Sequence, residues 1–533
     1  MPAILTTNGF GGSKADQAGI GKAFARRGYV VLSYSGLGFG GSGCKITLDD
    51  PDYDGRAASQ LVSFLGGKSG IAFKDAKHTV AAPTLKIVRR DKRDHAGKKR
   101  ANDPRVGMVG GSYGGQVQYA AAAVDKRIDT IVPLITWNDL SYSLSPNNTS
   151  QTSGVSTATP GAAKLVWALG FSGLGVVNGL NNLPADPSRI VGCPNFATFV
   201  CPALVTAAVT GSLDATSIAH LRHASVASYI KRVTIPTLVI QGQNDTLFNL
   251  NEGAATYTAL RKQRTTTKMI WINGGHSGAN APGELDFKTV NPANQHVAKR
   301  VATWFDRYLK GKKVHTGPQF SYFRNWVKYS GIATPAYASA STYPVGKATT
   351  YYLSGTSLRA TTAGIAPGKQ SFLTPVAGLP TSTDPLDVIG SSLPLPEVDL
   401  PGTFATWTGT PLTRNLDVVG SPSLRLKVDA PSTALTQGAG PNGQLVLFVK
   451  LLDVDAAGKA RFIRNLVAPV RVADASKPFT VRLPGIVHRF AKGHSVRLVV
   501  AGGSTNYRGG LTAHPVQVTT GSAAQALTLP VVK

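Results

Sequence analysis

The sequence predicts a mostly parallel, doubly wound α/β sheet that carries a helical insertion and is followed by an all-β domain. Three observations support this prediction. Strand and helix patterns alternate over residues 3–135 and again over 237–308, as in parallel β-α-β units. Helical patterns rich in Gly, Ala and Leu, without strands, fill residues 140–225. From about Pro318, short alternating runs separated by Thr, Ser, Pro and Gly take over, a pattern typical of sandwiches and jelly rolls.

These patterns divide the chain into four predicted segments. Residues 1–139 form the first part of the sheet domain, 140–228 a helical cap, 229–317 the second part of the sheet domain, and 318–533 the β domain. A chain of 533 residues is long enough for two or three domains that each bury a core.

The first part of the sheet domain is predicted to alternate four strands with three helices. The strands are rich in β-branched residues and lie at 3–7, 29–34, the first half of 105–116, and 128–135. The helices lie at 15–27, 56–65 and 116–124. The loop at 36–41 matches G-x-G-x-x-G, but no helix follows it directly. We therefore expect a flexible loop there and no nucleotide cofactor.

The sheet is predicted to resume after the cap. Strands at 237–241 and 268–272, the second of them the last of the sheet, alternate with helices at 252–262 and 298–308. In the β domain, the clearest alternating runs lie at 423–428, 445–452 and 496–501.

Composition limits the partners. Lys and Arg number 56 against 28 Asp and Glu, a formal net charge of +28, which favours anionic surroundings. No nucleic-acid-binding motif occurs, so we expect no nucleic-acid partner. We interpret the charge as a solvated surface, with association with an acidic cell envelope as the alternative. No run of 18 apolar residues occurs, so no membrane span is predicted.

The three cysteines, Cys44, Cys193 and Cys201, lack the paired spacing of a zinc site, and we expect no metal. Cys193 and Cys201 flank a short loop and allow two interpretations, a disulfide in an oxidising compartment or two buried thiols. The first residues carry no signal peptide. The predicted location is secreted or in the cell envelope, with the cytoplasm as the alternative.

The segment that organises the prediction is G-G-S-Y-G-G at 110–115, between a predicted strand and a predicted helix. A G-x-S-x-G turn from strand to helix holds its serine in strained backbone geometry, which requires small neighbours. The Ser112 hydroxyl then lies at a helix N-terminus, beside backbone N–H groups that can stabilise an oxyanion. Ser112 is therefore the predicted nucleophile.

Asp245 and His276 complete the predicted site, because each follows a predicted strand. The order Ser, Asp, His along the chain is that of an α/β-hydrolase triad. A serine hydroxyl needs an imidazole to take its proton, and a buried carboxylate must orient that ring. We expect the backbone N–H groups of Tyr113 and Phe10 to form the oxyanion hole.

Several of these motifs together resemble the X-prolyl dipeptidyl-peptidase/cocaine esterase family of serine hydrolases. They are the G-G-S-Y-G-G segment, N-D-T-L-F-N at 244–249 and G-G-H-S-G at 274–278. The β-domain segments 445–458 and 492–498 resemble the C-terminal jelly roll of that family, which is galactose-binding-like. The resemblance covers nearly the whole chain and implies an α/β-hydrolase with a helical cap and a jelly roll.

The chain departs from the family pattern at two places. The family usually has a tyrosine after the first parallel strand, whose hydroxyl contributes to the oxyanion hole, whereas this chain has Phe10. The donor there would have to be a backbone N–H. The family also begins with antiparallel strands that have no counterpart before Met1, so we expect an N-terminal segment, with a secretion signal, to be missing.

The resemblance implies a small peptide or ester as the substrate. X-prolyl dipeptidyl-peptidase activity is the first expectation and carboxylesterase activity the second. A dipeptidyl-peptidase must anchor a free ammonium group with carboxylates or carbonyls, and residues 140–225 contain only two acids, Asp186 and Asp214. An envelope- or carbohydrate-binding protein without catalysis is the alternative from a different class, because the β domain resembles carbohydrate-binding jelly rolls.

Overall fold

The computed structural model of the protein describes residues 1–149, 160–184, 186–388, 391–393 and 395–532. In this part of the chain, one eight-stranded sheet lies at the centre of the N-terminal domain. Its strands are β1 (Ala3–Thr7), β2 (Val30–Tyr34), β3 (Val106–Gly111), β4 (Ile128–Leu134), β5 (Thr237–Gly242), β6 (Thr267–Ile272), β7 (Phe320–Phe323) and β8 (Tyr337–Ala340).

The strand order is β2-β1-β3-β4-β5-β6-β7-β8, and every neighbouring pair is parallel except β7 and β8. The predicted doubly wound sheet is confirmed. Its carboxyl ends lie on one edge, where the predicted functional residues follow β3, β5 and β6.

Helices cover both faces of this sheet, and five further helices lie in the cap. They are α1 (Ala18–Ala25), α2 (Arg56–Leu65), α3 (Tyr113–Val124), α4 (Leu140–Leu144), α5 (Leu165–Asn181), α6 (Val200–Thr210), α7 (Ala215–His223), α8 (Val226–Tyr229), α9 (Leu250–Lys262) and α10 (His296–Tyr308). Alternate residues of one strand point to opposite layers. Val239 shares a core with α2, α3 and α9, whereas Leu238 shares a core with α1 and α10.

Two element predictions were wrong. The strand β6 is not the last of the sheet, because β7 and β8 extend it beyond residue 317. The apolar residues of β7 pack on β6, with the rings of Phe320 and Trp271 4.9 Å apart. The four residues of β7 begin two positions after Pro318 and were assigned to the β domain. Helix α3 begins at Tyr113 rather than at residue 116. Gly114 and Gly115 have low helix propensity, but they belong to the first turn because a Cβ at either position would clash with a strand carbonyl.

The described residues of the segment 140–228 contain helices and no β-strand. Cys193 and Cys201 form a disulfide that ties the loop before α6 to the first turn of that helix. The structure therefore agrees with the first interpretation of these cysteines, a disulfide, and not with two buried thiols. Cys44 is free and exposed.

The C-terminal domain is built of strands, as predicted. They are β9 (Lys347–Ser354), β10 (Ser357–Arg359), β11 (Gly368–Leu373), β12 (Ser382–Thr383), β13 (Leu386–Val388), β14 (Ser391–Leu393), β15 (Val398–Asp399), β16 (Phe404–Gly409), β17 (Leu416–Gly420), β18 (Ser423–Leu426), β19 (Leu445–Val454), β20 (Ala460–Phe462), β21 (Ala468–Val472), β22 (Phe479–Arg482), β23 (Ile486–Phe490), β24 (Ser495–Ala501), β25 (Pro515–Thr520) and β26 (Ala526–Val532). Twelve of them are linked in one sheet system around a core that includes Trp407, Leu447 and Leu498.

The C-terminal domain contacts both the cap and the sheet domain. The buried Arg471 of β21 donates hydrogen bonds to the carbonyls of Gly161 (3.0 Å) and Gly211 (3.2 Å) in the cap. Asn251 of α9 donates to the carbonyl of Leu483 (3.2 Å). Among the residues that the structure describes, no helix has the length and apolar character needed to cross a bilayer.

Candidate active site

Ser112 occupies the sharp corner between β3 and α3. Its backbone has a positive φ, with φ 57° and ψ −121°, a geometry that a non-glycine residue rarely adopts. A Cβ on Gly110 would lie 2.7 Å from the carbonyl oxygen of Gly114, and a Cβ on Gly114 would lie 2.5 Å from that of Thr7. These glycines let β1, β3 and α3 approach closely enough to present the serine hydroxyl at the sheet edge.

The structure brings the three predicted residues together. His276 Nε2 lies 2.8 Å from Ser112 Oγ, and His276 Nδ1 lies 2.8 Å from Asp245 Oδ2. Asp245 is fully buried and His276 nearly so. The carboxylate can therefore fix the tautomer and the orientation of the ring, leaving Nε2 as the acceptor for the serine proton.

The loops that carry Asp245 and His276 are tied to each other and to the cap. The other Asp245 oxygen accepts a hydrogen bond from the N–H of Phe248 (2.7 Å), and the hydroxyl oxygens of Thr246 and Ser277 lie 2.7 Å apart. The buried Lys164 Nζ, just before α5, donates to the carbonyl of Leu247 (2.8 Å). The cap therefore holds the aspartate loop through a buried cation.

Aromatic rings enclose the histidine. The rings of Phe248 and Trp167 approach the imidazole edge-on, with centroids 5.1 and 6.2 Å away and interplanar angles of 89°. Trp167 also donates its indole N–H to the Thr246 hydroxyl (3.2 Å). The imidazole is thus held in a largely apolar setting, which strengthens its hydrogen bonds to the carboxylate and the serine.

The two backbone segments predicted to supply the oxyanion hole are close to the serine. The N–H of Tyr113 begins α3, and the loop 8–10 approaches Ser112, with a Cβ built on Gly9 lying 3.8 Å from the Ser112 Cβ. Within the part of the chain that the structure describes, neither the Tyr113 nor the Phe10 N–H donates a hydrogen bond. Phenylalanine at position 10 has no hydroxyl to contribute to the oxyanion hole, and its ring packs against Phe39 and Phe171.

An apolar cavity, called here the acyl pocket, opens beside Ser112 between the sheet edge and the cap. Helices α5 and α6 contribute much of its wall, through Ala168, Phe171, Ala203, Leu204 and Ala207. The sheet domain closes it with aromatic and aliphatic side chains that include Phe10, Tyr113, Trp137, Leu247 and Phe248. None of the described residues that line it is charged.

A second, more polar cleft also borders Ser112 and reaches His276. Its walls include Gly9, Asp286 and Lys288. The reacting hydroxyl therefore lies where the two spaces meet. One has room for the acyl group of a substrate and the other for its leaving group.

Sequence reasoning missed Arg464, which reaches the site from the β domain. Its guanidinium donates to Asn244 Oδ1 (2.7 Å) and Asn273 Oδ1 (3.2 Å), so it links the loop before Asp245 to the loop before His276. Burial lowers the pKa of Arg464 to about 10. No local pattern marks this arginine, because its partners lie about 200 residues away in the chain.

The described side chains include one group that is close enough to share a cation, Asp50, Asp52 and His223. Asp52 and His223 are exposed and already paired, with His223 Nε2 3.0 Å from Asp52 Oδ2. We assign no metal to this group, because exposed acidic clusters are common without one.

The fold and the site define a serine hydrolase with the α/β-hydrolase fold. Two family models match the chain: X-Pro dipeptidyl-peptidase (S15 family) over residues 1–164, and X-Pro dipeptidyl-peptidase C-terminal non-catalytic domain over residues 318–510. The chain therefore belongs to the X-prolyl dipeptidyl-peptidase/cocaine esterase family, and the resemblance seen in its motifs is confirmed. Among curated protein sequences, none matches the chain.

Solved structures show the same fold over the whole chain at low sequence identity. A CocE/NonD family hydrolase from Staphylococcus aureus has a TM-score of 0.64 at 12% identity, covering 100% of this chain and 88% of its own. An aminopeptidase from a marine sediment Thaumarchaeota archaeon has a TM-score of 0.64 at 12% identity, with 100% and 92% covered. An alpha-amino acid ester hydrolase has a TM-score of 0.60 at 15% identity, with 100% and 92% covered.

Proposed function

We propose that the protein hydrolyses acyl bonds through a covalent acyl-enzyme on Ser112. The observation that supports this most directly is the continuous chain of hydrogen bonds from Ser112 through His276 to Asp245. Ser112 Oγ attacks the substrate carbonyl carbon while His276 Nε2 takes the hydroxyl proton. The imidazolium then gives that proton to the leaving group as its bond to the carbonyl carbon breaks. Water, deprotonated by His276, attacks the acyl-enzyme and restores the serine.

The N–H groups of Tyr113 and Phe10 stabilise the oxyanion in this proposal. Tyr113 follows Ser112 directly and Phe10 lines both cavities with it, and neither N–H donates a hydrogen bond among the described residues. Donors that are already fixed need no reorganisation when the negative charge develops, and each such donor contributes about 3–4 kcal/mol to transition-state stabilisation.

For the substrate, we propose first an ester of an apolar acid. The acyl pocket carries no charged side chain among the described residues that line it, so a free ammonium group would find no carboxylate there. Burying an unpaired charge is costly. This observation reverses the order of the two substrates expected from the sequence.

X-prolyl dipeptidyl-peptidase activity is the second candidate, because the family models for both the catalytic and the C-terminal domain match this chain. A prolyl ring also suits an apolar pocket. In that case, the ammonium group of the dipeptide would have to lie outside the acyl pocket.

One panel of substrates tests both. Nitrophenyl esters of increasing acyl length are compared with Gly-Pro- and Ala-Pro-anilides, using Ser112→Ala as the control. We expect ester turnover that increases with acyl length before it levels off, and a loss of about 1,000-fold or more in the control. Turnover of the prolyl anilides alone would replace the first candidate with the second. Equal rates for the wild type and Ser112→Ala on every substrate would contradict both.

A further inference from the structure

The two cap helices that contribute much of the acyl-pocket wall, α5 and α6, carry no charged residue. Neither α5 (L-V-W-A-L-G-F-S-G-L-G-V-V-N-G-L-N) nor α6 (V-C-P-A-L-V-T-A-A-V-T) contains Asp, Glu, Lys or Arg. A helix at the surface of a globular protein normally presents charged and polar residues to water. These two helices are therefore suited to a less polar environment on their outer side.

The outer side of both helices is indeed exposed and apolar. Leu169 is 52% exposed on α5, and Val205 is 62% exposed on α6. The other large apolar side chains that are exposed on these helices, or in the loop between them, are Leu174, Val177, Leu180, Ile190, Val191 and Val209. We call these eight residues the apolar cap surface. Isolated exposed apolar side chains are ordinary, but a group of eight on neighbouring elements marks an interaction site.

This surface lies on the opposite face of the same helices whose inner side chains line the acyl pocket. On α5, Ala168 lines the pocket while its neighbour Leu169 is exposed. On α6, Leu204 lines the pocket while its neighbour Val205 is exposed. One layer of helices therefore separates the pocket from the surface. Whatever covers the surface lies directly above the pocket that receives the acyl group.

One cationic side chain lies at each end of the apolar cap surface. Lys45 donates to the carbonyl of Cys193 (3.2 Å), beside Val191, and Arg508 donates to the carbonyl of Ala208 (3.0 Å), beside Val209. The chain as a whole carries a formal net charge of +28. An apolar face with basic residues at its edge suits the interface of an anionic lipid layer.

Arg508 also extends the surface into the C-terminal domain. Its guanidinium donates to the carbonyl of Ala377, which brings the segment 376–379 to the end of α6. In that segment, Val376 and Leu379 are more than half exposed. The apolar area therefore continues across two domains around one arginine.

We propose that the apolar cap surface binds an anionic lipid surface. The side chains of α5 and α6 enter the boundary between headgroups and acyl chains, and Lys45 and Arg508 face the anionic headgroups. Bound in this way, the protein holds its acyl pocket one helix layer from the lipid phase, from which an apolar acyl substrate can be supplied.

The test measures binding to vesicles and needs no catalysis. Ser112→Ala protein is sedimented with vesicles of phosphatidylcholine alone or mixed with phosphatidylglycerol. We expect tighter binding to the mixed vesicles, weakened by salt. Adding Leu169→Glu and Val205→Glu to this protein should weaken its binding to the mixed vesicles by about tenfold or more.

The matched control is Ile87→Glu. Ile87 is 57% exposed, and its carbonyl accepts a hydrogen bond from the Met1 ammonium, at the amino end of β1, whereas Ser112 follows the carboxyl end of the parallel strand β3. We expect a change of less than about twofold there.

Three results would overturn the proposal. The first is no binding to either kind of vesicle, and the second is equal binding by the cap variant and the control. The third is a dimer in light scattering that the cap variant abolishes, because a second copy of the chain would then cover the surface.

Both variants, built with Ser112 intact, should still hydrolyse a soluble acetyl ester, which checks that they fold. Since binding is measured on Ser112→Ala protein, its failure is distinct from a failure of the proposed ester hydrolysis.

Discussion

At the scale of single residues, the site depends on one strained serine and on partners drawn from distant parts of the chain. A non-glycine residue in an unfavourable backbone region costs about 1–3 kcal/mol, and the packing around Ser112 stabilises that conformation. The sequence predicted Ser112, Asp245 and His276, because each follows a strand in a recognisable local pattern. Lys164 and Arg464 were not predicted, because a long-range hydrogen bond leaves no local signal.

Arg464 should act as a positioning residue for the aspartate and histidine loops. Replacing it in Arg464→Met removes the donor shared by Asn244 and Asn273. We expect kcat to fall by about 10- to 100-fold with little change in KM, because the triad loses alignment rather than substrate contacts. Steady-state kinetics measure this. Arg461→Met, at an exposed arginine of the neighbouring strand, is the matched control, and Arg464→Lys should restore part of the rate. An unchanged kcat in Arg464→Met would contradict this role.

The buried Asp54 should make stability depend on pH. Burial raises its pKa from 3.8 to about 7, and the Thr47 hydroxyl donates to its carboxyl group. Between about pH 4 and 7, the unfolded chain has released this proton while the folded chain keeps it. The contribution of Asp54 to the free energy of unfolding is therefore complete below about pH 4 and is lost as pH rises through about 7.

Asp54→Asn removes this titration. Relative to the wild type, its free energy of unfolding should rise between pH 4 and pH 8, by up to about 4 kcal/mol if the whole shift is realised. Urea unfolding at the two pH values measures the difference. A difference that is the same at both values would show that Asp54 does not titrate in this way.

At the scale of elements, most strands and helices followed from the sequence within one or two residues. Helix α2 has the predicted bounds, and β1 and β5 are close to them, because β-branched strands and amphipathic helices have clear periods. The start of α3 was missed because Gly114 and Gly115 are poor helix formers, although the fold requires them there. Strands β7 and β8 were missed because membership of a sheet is decided by pairing, of β7 with β6 and of β8 with β7, which local composition does not encode.

Gly114→Ala tests the close approach of β1 and α3. Its Cβ would lie 2.5 Å from the carbonyl oxygen of Thr7, and a backbone atom in a central strand cannot move aside. We expect a loss of about 1–3 kcal/mol in stability and a large loss of ester turnover. Gly21→Ala is the control, because a Cβ there meets nothing within 4 Å and should be neutral or stabilising by up to about 1 kcal/mol. Equal thermal unfolding of the two variants would contradict this account of the serine turn.

At the scale of the whole molecule, the C-terminal domain is part of the active-site architecture. It supplies Arg464 to the triad loops, and its Arg471 binds two cap carbonyls. The cap in turn reaches the aspartate loop through Lys164. The all-β class of this domain followed from its alternating runs. Its contacts with the loops that carry Asp245 and His276 did not, because they join segments far apart in the chain.

Arg471→Met should weaken the junction between the cap and the C-terminal domain. The change leaves the carbonyls of Gly161 and Gly211 without this buried donor, and we expect a loss of about 2–4 kcal/mol in stability. Thermal unfolding and limited proteolysis of the cap measure it. If the Tm and the cleavage pattern both match those of the wild type, Arg471 does not hold the junction.

The most direct test of the central claim, that Ser112 is an activated nucleophile, is labelling with a fluorophosphonate followed by peptide mass spectrometry. We predict one covalent label per chain, located on Ser112, absent from Ser112→Ala and from heat-denatured protein, and strongly slowed in His276→Ala. A folded wild-type protein that remains unlabelled, or a label on another residue, would contradict the account.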